Sequence, residues 1–219
     1  MRSKSAAALA GTLVAGMAVA SVLVDPRLPE TMVVHWDAAG NPNDTTPKVW
    51  GQFFLPLLTA VLVGFLFAVP RIDPNRANIE AFRDVYDEFV VVLTAFLAMV
   101  HAVVLAVNVG YDVAVDAVVF SGVGFLVFFI GTLLERTEQN WFVGIRTPWT
   151  LSDEDVWDRT HEVGAPLFKL SGVIAFVGGF SGQYAVYLAV GPVVVSSLAL
   201  TVYSYYLYER EGQAGEATP

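Results

Sequence analysis

The sequence predicts an all-α, polytopic membrane protein with about six transmembrane helices. Of its 219 residues, 55% are hydrophobic and only 15% are charged, whereas an average soluble domain carries roughly 25% charged residues. The mean hydropathy is +0.58, and the apolar residues gather in runs of roughly 20, the length that a helix needs to cross about 30 Å of hydrocarbon. A soluble fold of this size could not bury so much apolar surface, but a bilayer can accommodate it.

Six segments are apolar and long enough to be predicted as spans. They are Ser5–Val24, Trp50–Val69, Phe89–Val109, Ala117–Leu134, Ala165–Ser181 and Tyr184–Tyr208, and the fifth is the shortest. The residues from Ala77 to Phe89 are predicted to begin the third helix early. No low-complexity linker divides the chain, so residues 1–219 are interpreted as a single membrane domain.

The basic residues predict that both termini lie in the cytoplasm, because loops on that side of a membrane carry an excess of Lys and Arg. With this orientation the basic residues of the inside sections are Arg2, Lys4, Arg71, Arg76, Arg83, Arg136, Arg146, Arg159 and Arg210. The outside sections hold only Arg27 and Lys48. The protein is therefore placed in the plasma membrane as a multi-pass protein with membrane lipids as its surroundings.

The first span has a second interpretation, a cleaved signal peptide. Arg2 and Lys4 precede the apolar run, and Ala18-Val19-Ala20 resembles a signal-peptidase site. Cleavage would leave five spans. The apolar run is roughly 20 residues long, which exceeds the usual apolar core of a signal peptide, and this favours a retained helix.

The charge pattern bears on partners and origin. The net charge is −9, the acidic residues lie almost wholly outside the apolar runs, and such a surface disfavours nucleic acid as a partner. Only three of the twelve basic residues are lysines, Lys4, Lys48 and Lys169, and cysteine is absent. Acid-rich, lysine-poor loops indicate a halophile, as among the haloarchaea; a merely acidic membrane protein is the alternative. Without cysteine, disulfides and thiolate metal sites are excluded.

Loop one, residues 25–49, is predicted to be extracellular. Met32–Trp36 favours a short extended segment, and the residues after it are dense in turn formers, with Gly40 suited to a positive φ. His35, Asp37 and Asp44 would make a sparse metal site, but they lack a regular ligand spacing, so a hydrogen-bonded histidine in a structured loop is favoured and no metal is predicted. The candidate residues of this loop are His35, Trp36, Asp37 and Gly40.

Loop four, residues 135–164, is predicted to be cytoplasmic and to contain an amphipathic helix before the fifth span. Ser152 is a good N-cap, and the three acidic residues that follow it suit the first turn of a helix. That helix is predicted to run from Asp153 to about Val163, with Gly164 and Pro166 ending or kinking it. Its apolar face would hold Val156, Trp157, Thr160, His161 and Gly164, and its polar face Asp155, Asp158, Arg159 and Glu162.

A loop docked on the bundle is sufficient to explain this segment, but a binding surface for a partner is the sharper hypothesis. Arg146 would anchor an acidic partner or a lipid headgroup. The candidate partner-binding residues are Asn140, Gly144, Arg146, Thr147, Trp149, Trp157 and His161.

Polar groups inside the predicted spans are few, and His101 and Asn108 are the two considered for function. A polar group in a membrane is a functional candidate by default, so one hypothesis is a small transporter or channel with these residues near the path. A hydrogen bond from His101 to a neighbouring helix is the favoured alternative. No P-loop, HExxH, nucleophile elbow or CxxC occurs; no catalytic residue and no cofactor is predicted.

The stretch Asn140–Gly164 resembles the signature of the SdpI-like family of membrane proteins. The resemblance rests on Trp141-Phe142-Val143-Gly144-Ile145-Arg146-Thr147-Pro148-Trp149-Thr150-Leu151-Ser152, followed by Val156-Trp157 and Thr160-His161. Loop one, from Leu28-Pro29 through His35-Trp36 to Gly40, resembles the small domain of unknown function that often precedes this signature. With the six spans, the resemblance covers nearly the whole chain.

This resemblance implies a six-span, non-enzymatic protein of the immunity or signalling type. The best-studied relative protects its own cell from a secreted, membrane-active peptide toxin and also holds a transcriptional repressor at the membrane. The partners implied are therefore a secreted peptide toxin outside and a cytoplasmic transcriptional regulator inside. A small transporter or channel is the alternative function.

Overall fold

A computed structural model describes residues 3–37 and 40–216, with side chains described through residue 210. Within this part of the chain, eight α-helices form a bundle and two short strands form a hairpin at one end. The helices are α1 (Ser3–Val24), α2 (Lys48–Ile72), α3 (Arg76–Ala81), α4 (Arg83–Val109), α5 (Val115–Leu134), α6 (Pro148–Ser152), α7 (Glu154–Gly178) and α8 (Ala185–Glu216). The strands are β1 (Thr31–Trp36) and β2 (Pro42–Pro47).

Five of the described helices, α1, α2, α4, α5 and α8, are long and apolar enough to cross a membrane. This confirms the all-α, polytopic class, with the hairpin as an addition in loop one. The predicted fifth span, Ala165–Ser181, is not one of the five; most of it forms the second half of α7, whose first half is polar. The cytoplasmic placement of the termini stays a prediction, and Arg2, which contributes to it, lies outside the described residues.

The helices pack as two groups of three. In the first group α1, α2 and α4 contact one another, and in the second group α5, α7 and α8 do so, while α4 and α5 join the groups. The hairpin follows α1 and sits at one end of the bundle, called here the hairpin end. Loop four follows α5 and lies at the opposite end, called here the loop-four end, where it contacts the residues between α2 and α4.

The closest helix contact lies between α5 and α7, and glycine makes it possible. A Cβ atom added to Gly124 would stand 2.2 Å from the backbone nitrogen of Phe176, and one added to Gly172 would stand 2.4 Å from that of Phe128. Ser121 Oγ also donates a hydrogen bond to the carbonyl of Phe176 across this contact (3.0 Å). Small residues let helix backbones approach in a membrane, where the hydrophobic effect does not drive helices together.

Loop four and the fifth predicted span differ from the expectation, because α7 is one continuous helix of 25 residues. Gly164 and Pro166 lie inside it and do not end it. Gly164 serves close packing instead, since a Cβ there would stand 2.4 Å from Ile145 Cδ1. Pro166 removes only one backbone hydrogen-bond donor. A proline is tolerated inside a membrane helix because neighbouring helices and side chains can satisfy the freed carbonyl.

The start of α7 and the segment before α4 also differ from the sequence-based prediction. Asp153, rather than Ser152, is the N-cap of α7, and its carboxylate accepts from the amide of Val156 (3.0 Å). The expected early start of the third helix is present, but Phe82 divides it into α3 and α4. Phe82 is buried with Ile79 and Tyr86 in a cluster at the loop-four end, so burial of its ring accompanies the break.

Replacing Gly124 with alanine tests the contact between α5 and α7. The added methyl group must push α7 away, so we expect a lower melting temperature in detergent and a loss of about 1–3 kcal/mol, as for other overpacked sites. Gly64→Ala is the matched control, because nothing lies within 4 Å of a Cβ there. It should change stability by no more than about 1 kcal/mol. Equal melting temperatures for the two variants would contradict the described contact.

Candidate functional site

The hairpin is built from the residues that loop one was expected to place in an extended segment and a turn. Strand β1 pairs antiparallel with β2, and its register shifts on both sides of His35. In the turn, Gly40 has a φ of 79°, and the carboxylate of Asp37 accepts from the amide of Asn41 (2.9 Å). The expected extended segment and the positive φ of Gly40 are therefore both present.

The candidate residues of loop one have separate environments. His35 is exposed and its Nδ1 lies 2.6 Å from Asn43 Oδ1, which agrees with the hydrogen-bonded histidine favoured from the sequence. Trp36 packs against a small core that includes Leu28 and Met32. Among the described residues, no group of three or more His, Asp or Glu side chains could hold a metal ion.

Asn108 holds the hairpin on the bundle. Its Oδ1 accepts from the backbone amide of Val33 (2.8 Å), and its Nδ2 donates to the carbonyl of the same residue (2.8 Å). The amide side chain thus binds β1 as a neighbouring strand would. Sequence reasoning placed Asn108 near a transport path, but in the structure its polar atoms are occupied by the hairpin and by the carbonyl of Val104.

His101 joins α4 to α1 and α2 through Ser21. Ser21 Oγ donates to the carbonyl of Gln52 (2.8 Å), since a carbonyl can only accept. His101 Nε2 lies 2.9 Å from the same Oγ and must therefore be the donor. The Nδ1 atom is then an acceptor, and it has no hydrogen-bond partner among the described residues. The interhelical hydrogen bond favoured from the sequence is present.

Two cavities lie on either side of β1. The α2-side cavity has a volume of about 390 Å³ and is lined by Trp50, Phe54 and His101, among others. The α5-side cavity has a volume of about 200 Å³ and is lined by all four candidate residues of loop one, together with Asp116. The two cavities share three wall residues, Val34, Val100 and Val104.

At the loop-four end, the backbone of loop four is held by Asn140. This side chain is fully buried, and its Oδ1 accepts from the amides of Phe142 and Val143 (2.9 and 2.7 Å). Its Nδ2 donates to the carbonyls of Glu138 and Val143 (2.8 Å each). Asn140 was predicted to bind a partner, but the structure uses it to shape the loop.

Asp73 ties loop four to the first group of helices. Its Oδ2 accepts from the amide of Trp141 (2.9 Å) and its Oδ1 from the amide of Asn75 (2.6 Å). Asn78 adds a hydrogen bond to the carbonyl of Gln139 (2.8 Å). Sequence reasoning missed these residues, although an Asp-Pro-Asn turn directly after an apolar run is a signal that could have drawn attention to them.

His161 and Trp157 form the buried centre of loop four. Their rings stack with centroids 4.1 Å apart. The amide of Ile145 donates to His161 Nε2 (2.9 Å), so Nδ1 carries the proton and donates to the carbonyl of Trp157 (2.8 Å). Burial lowers the pKa of His161 from 6.5 to about 4, because an apolar environment disfavours the charged imidazolium.

Gly144 completes this centre. Its φ of +123° lies in the left-handed region, and a Cβ there would stand 2.6 Å from His161 Nε2 and 2.8 Å from the Trp157 ring. Only glycine satisfies both conditions. The predicted apolar face of the amphipathic helix is confirmed, since Val156, Trp157, Thr160, His161 and Gly164 are all buried.

Thr147 anchors the next turn of loop four. Thr150 N donates to Thr147 Oγ1 (3.2 Å) and Thr147 N donates to Thr150 Oγ1 (2.9 Å), which caps α6. Thr147 Oγ1 also lies 3.1 Å from Ser204 Oγ of α8. Loop four is thereby linked to α8 as well as to the first group of helices.

Two of the seven loop-four candidates reach the surface. Arg146 is exposed, and its guanidinium donates to the carbonyl of Trp141. Trp149 is half-buried, with its ring 5.1 Å from that of Tyr205. Trp141, which was not among the candidates, is 51% exposed. These three side chains form the outer surface of loop four, whereas the other five candidates form its interior.

The fold and the two ends define the class: a multi-pass α-helical membrane protein with a strand hairpin at one end and a hydrogen-bonded loop at the other. Residues 136–204 match the model of the SdpI/YfhL protein family, and residues 12–60 match a domain of unknown function, DUF1648. The predicted resemblance to the SdpI-like family and to the small domain before it is therefore confirmed.

A similar curated protein is the immunity protein SdpI of Bacillus subtilis (strain 168). It is 25% identical over 193 residues, which cover 87% of this chain and 89% of the relative. The similarity therefore extends over both helix groups and both ends. No solved structure matches the chain significantly.

Because His161 is buried in its neutral form, the free energy of unfolding is expected to depend on pH. The pKa of the folded state is below the unfolded value, so the unfolded chain binds more protons as the pH falls from 6.5 to 4. The stabilisation is complete above pH 6.5 and decreases towards pH 4, by about 3 kcal/mol. Thermal unfolding in detergent, compared between wild type and His161→Gln, should show this decrease in wild type alone.

The matched control is His35→Gln, which changes an exposed histidine at the other end. It should keep the wild-type pH dependence. An identical pH dependence for His161→Gln and wild type would mean that His161 is not the group responsible.

Proposed function

We propose that this chain is a non-enzymatic immunity protein that protects its own membrane from a secreted, membrane-active peptide. The relative named as an immunity protein supports this, because the similarity covers both chains almost completely. The observation that carries the proposal is the hairpin, a rigid non-helical element held against α4 by Asn108 with cavities on both sides. It offers a receptor surface at the end of the bundle that the basic residues place outside.

The hydrogen bonds of the two buried histidines support a role without catalysis. Both ring nitrogens of His161 are occupied by backbone groups, so this residue has no lone pair for a substrate proton. Ser21 and His101 do not form a nucleophile–base pair, because the serine proton goes to Gln52 and His101 is the donor in their hydrogen bond. A general base must instead accept the proton of its nucleophile.

The same hydrogen bonds disfavour the alternative of a small transporter or channel. Asn108 and His101 hold the hairpin and α1 in place, so they are structural in this arrangement. A coordinating role along a path would require these hydrogen bonds to break.

Protection is the first test. Cells of a sensitive host that express the chain should survive a challenge with membrane-active peptides encoded near its gene at least tenfold better than cells with an empty vector. Asn108→Leu should abolish this protection while insertion stays normal, because the hairpin loses its attachment. Ser197→Ala is the control, since its hydroxyl bonds only to Val193 within its own helix. If the Asn108→Leu variant still protects the cells, the attached hairpin is not required for immunity.

A second role, binding of a cytoplasmic transcriptional regulator, is favoured by the outer surface of loop four. Arg146 and Trp141 are exposed there on a loop whose interior is fixed by hydrogen bonds. A rigid loop loses little entropy on binding, and exposed Trp and Arg are common anchors of interfaces.

This role is tested by binding of purified protein in detergent to a candidate transcriptional repressor from the same genome. Arg146→Ala should weaken the binding by tenfold or more. Arg71→Ala is the matched control, because Arg71 is an exposed arginine at the same end that likewise donates to a backbone carbonyl. Equal affinities for the two variants would mean that the outer surface of loop four is not the docking site.

A further inference from the structure

The two cavities beside β1 have complementary chemistry. The α2-side cavity is apolar apart from a few groups, and His101 is the ionisable residue in its wall. The α5-side cavity has two carboxylates, Asp37 and Asp116. Because Val34, Val100 and Val104 line both, the two cavities are adjacent, and one elongated ligand that crosses these residues would contact both.

Asp116 is the more distinctive of the two carboxylates. It lies in the first turn of α5, and its Cγ would stand 3.7 Å from a Cβ on Gly40, so Gly40 lies directly beside it. It forms no hydrogen bond or ion pair with another residue in the described part of the chain. A half-buried carboxylate beside an apolar wall favours a cationic group.

The segments around Asp116 are also negatively charged. The two segments at this end, residues 25–49 and 110–116, contain Asp25, Glu30, Asp37, Asp44, Asp112 and Asp116 against Arg27 and Lys48. Lys48 is already paired with Asp25 (3.1 Å). The hairpin end therefore attracts cations and repels the anionic headgroups of lipids.

His101 adds an unsatisfied acceptor. Its Nε2 donates to Ser21, and its Nδ1 has no partner although the residue is 99% buried. Unpaired buried acceptors are uncommon because each costs about 1–3 kcal/mol. His101 also lines the α2-side cavity, so a ligand in that cavity lies beside its ring.

Resting on the proposed immunity function, we propose that the two cavities form one receptor site for an apolar peptide segment that carries a cationic residue. Apolar side chains enter the α2-side cavity, and the cation faces Asp116 and Asp37. A lipid acyl chain fits the apolar part alone and offers no cation to Asp116. The larger apolar groove between α4, α5 and α7, of about 480 Å³, has no carboxylate among its lining residues and so does not select such a peptide.

The test uses the full chain in nanodiscs of phosphatidylcholine with some phosphatidylglycerol. The probe is a short synthetic peptide of leucine and lysine in which one leucine is photoreactive. Crosslinks should map to Trp50, Phe54 and Val100. Crosslinks spread over the lipid-facing helices without preference would overturn the proposal, as would a photoreactive acyl chain that occupies the same residues and is not displaced by the peptide.

Paired variants locate the two parts of the site. Val100→Phe fills the shared wall and should weaken peptide binding at least tenfold, whereas Val61→Phe on the exposed face of α2 should not. Asp116→Asn should weaken binding and reduce its salt dependence, whereas Asp112→Asn, in the connection just before α5 and outside the cavity lining, should have a smaller effect. Unchanged affinity in Val100→Phe and Asp116→Asn would refute the site.

His101 is tested by two amide replacements. Gln places a donor where Nε2 was and so keeps the link to Ser21, but it lacks the acceptor at the Nδ1 position. Asn keeps an acceptor at that position and loses the link. We expect His101→Gln to bind the peptide less tightly than His101→Asn while melting at a higher temperature. The opposite order of affinities would show that His101 acts only through the fold.

The result is distinguishable from that of the protection test. Binding at this site without protection in cells would leave the receptor site standing and reject immunity. Protection that persists in Val100→Phe and Asp116→Asn would retain immunity and reject this site.

Discussion

The backbone of the non-helical segments must obtain its hydrogen bonds from buried side chains, and this constraint shapes both ends of the molecule. A helix satisfies its own backbone groups, but the hairpin edge and loop four cannot, and next to a bilayer water is scarce. Asn108 satisfies Val33 at the hairpin end. Asn140 satisfies Phe142 and Val143, and Asp73 satisfies Trp141, at the loop-four end. Asn108 and Asn140 each bond to more than one backbone group, so a single buried side chain fixes several backbone positions.

This constraint also explains how the two groups of helices become one molecule. Within the second group, α5 and α7 meet backbone to backbone at Gly124 and Gly172. Between the groups, loop four donates a hydrogen bond to Asp73 and accepts one from Asn78 on one side, and contacts Ser204 of α8 on the other. The polar residues are therefore concentrated at the ends of the bundle, and its middle remains apolar enough for lipid.

Much of the fold could be predicted from the sequence, because a span is a property of local composition. The five apolar helices, the extended Met32–Trp36 segment and the buried face around Trp157 all follow from local patterns. The continuity of α7 does not follow from a local pattern. The sequence predicts a helix end at Gly164, and only the structure shows that this glycine packs against Ile145. The choice of Asp153 over Ser152 as N-cap depends on a shift of one residue that propensity cannot resolve.

The candidate site was predictable in its location but not in the roles of its residues. Loop four and the hairpin both carry the family signature, yet a sequence does not show which side chains turn inward. Asn140, Thr147, Trp157 and His161 are buried, Gly144 is half-buried, and all five hold the loop. Arg146 reaches solvent. The partners of Asn108 and His101 lie 75 and 80 positions away in the chain, a distance over which no local pattern carries information.

The way in which Asn108 grips the hairpin has an evolutionary consequence. Its amide contacts only main-chain atoms of Val33, which every residue type except proline presents in the same form. The outward side chains of β1 and β2 can therefore mutate freely while the hairpin keeps its seat. Under the proposed immunity function, a lineage that meets new toxins can thus alter the surface of the hairpin without rebuilding the membrane bundle beneath it.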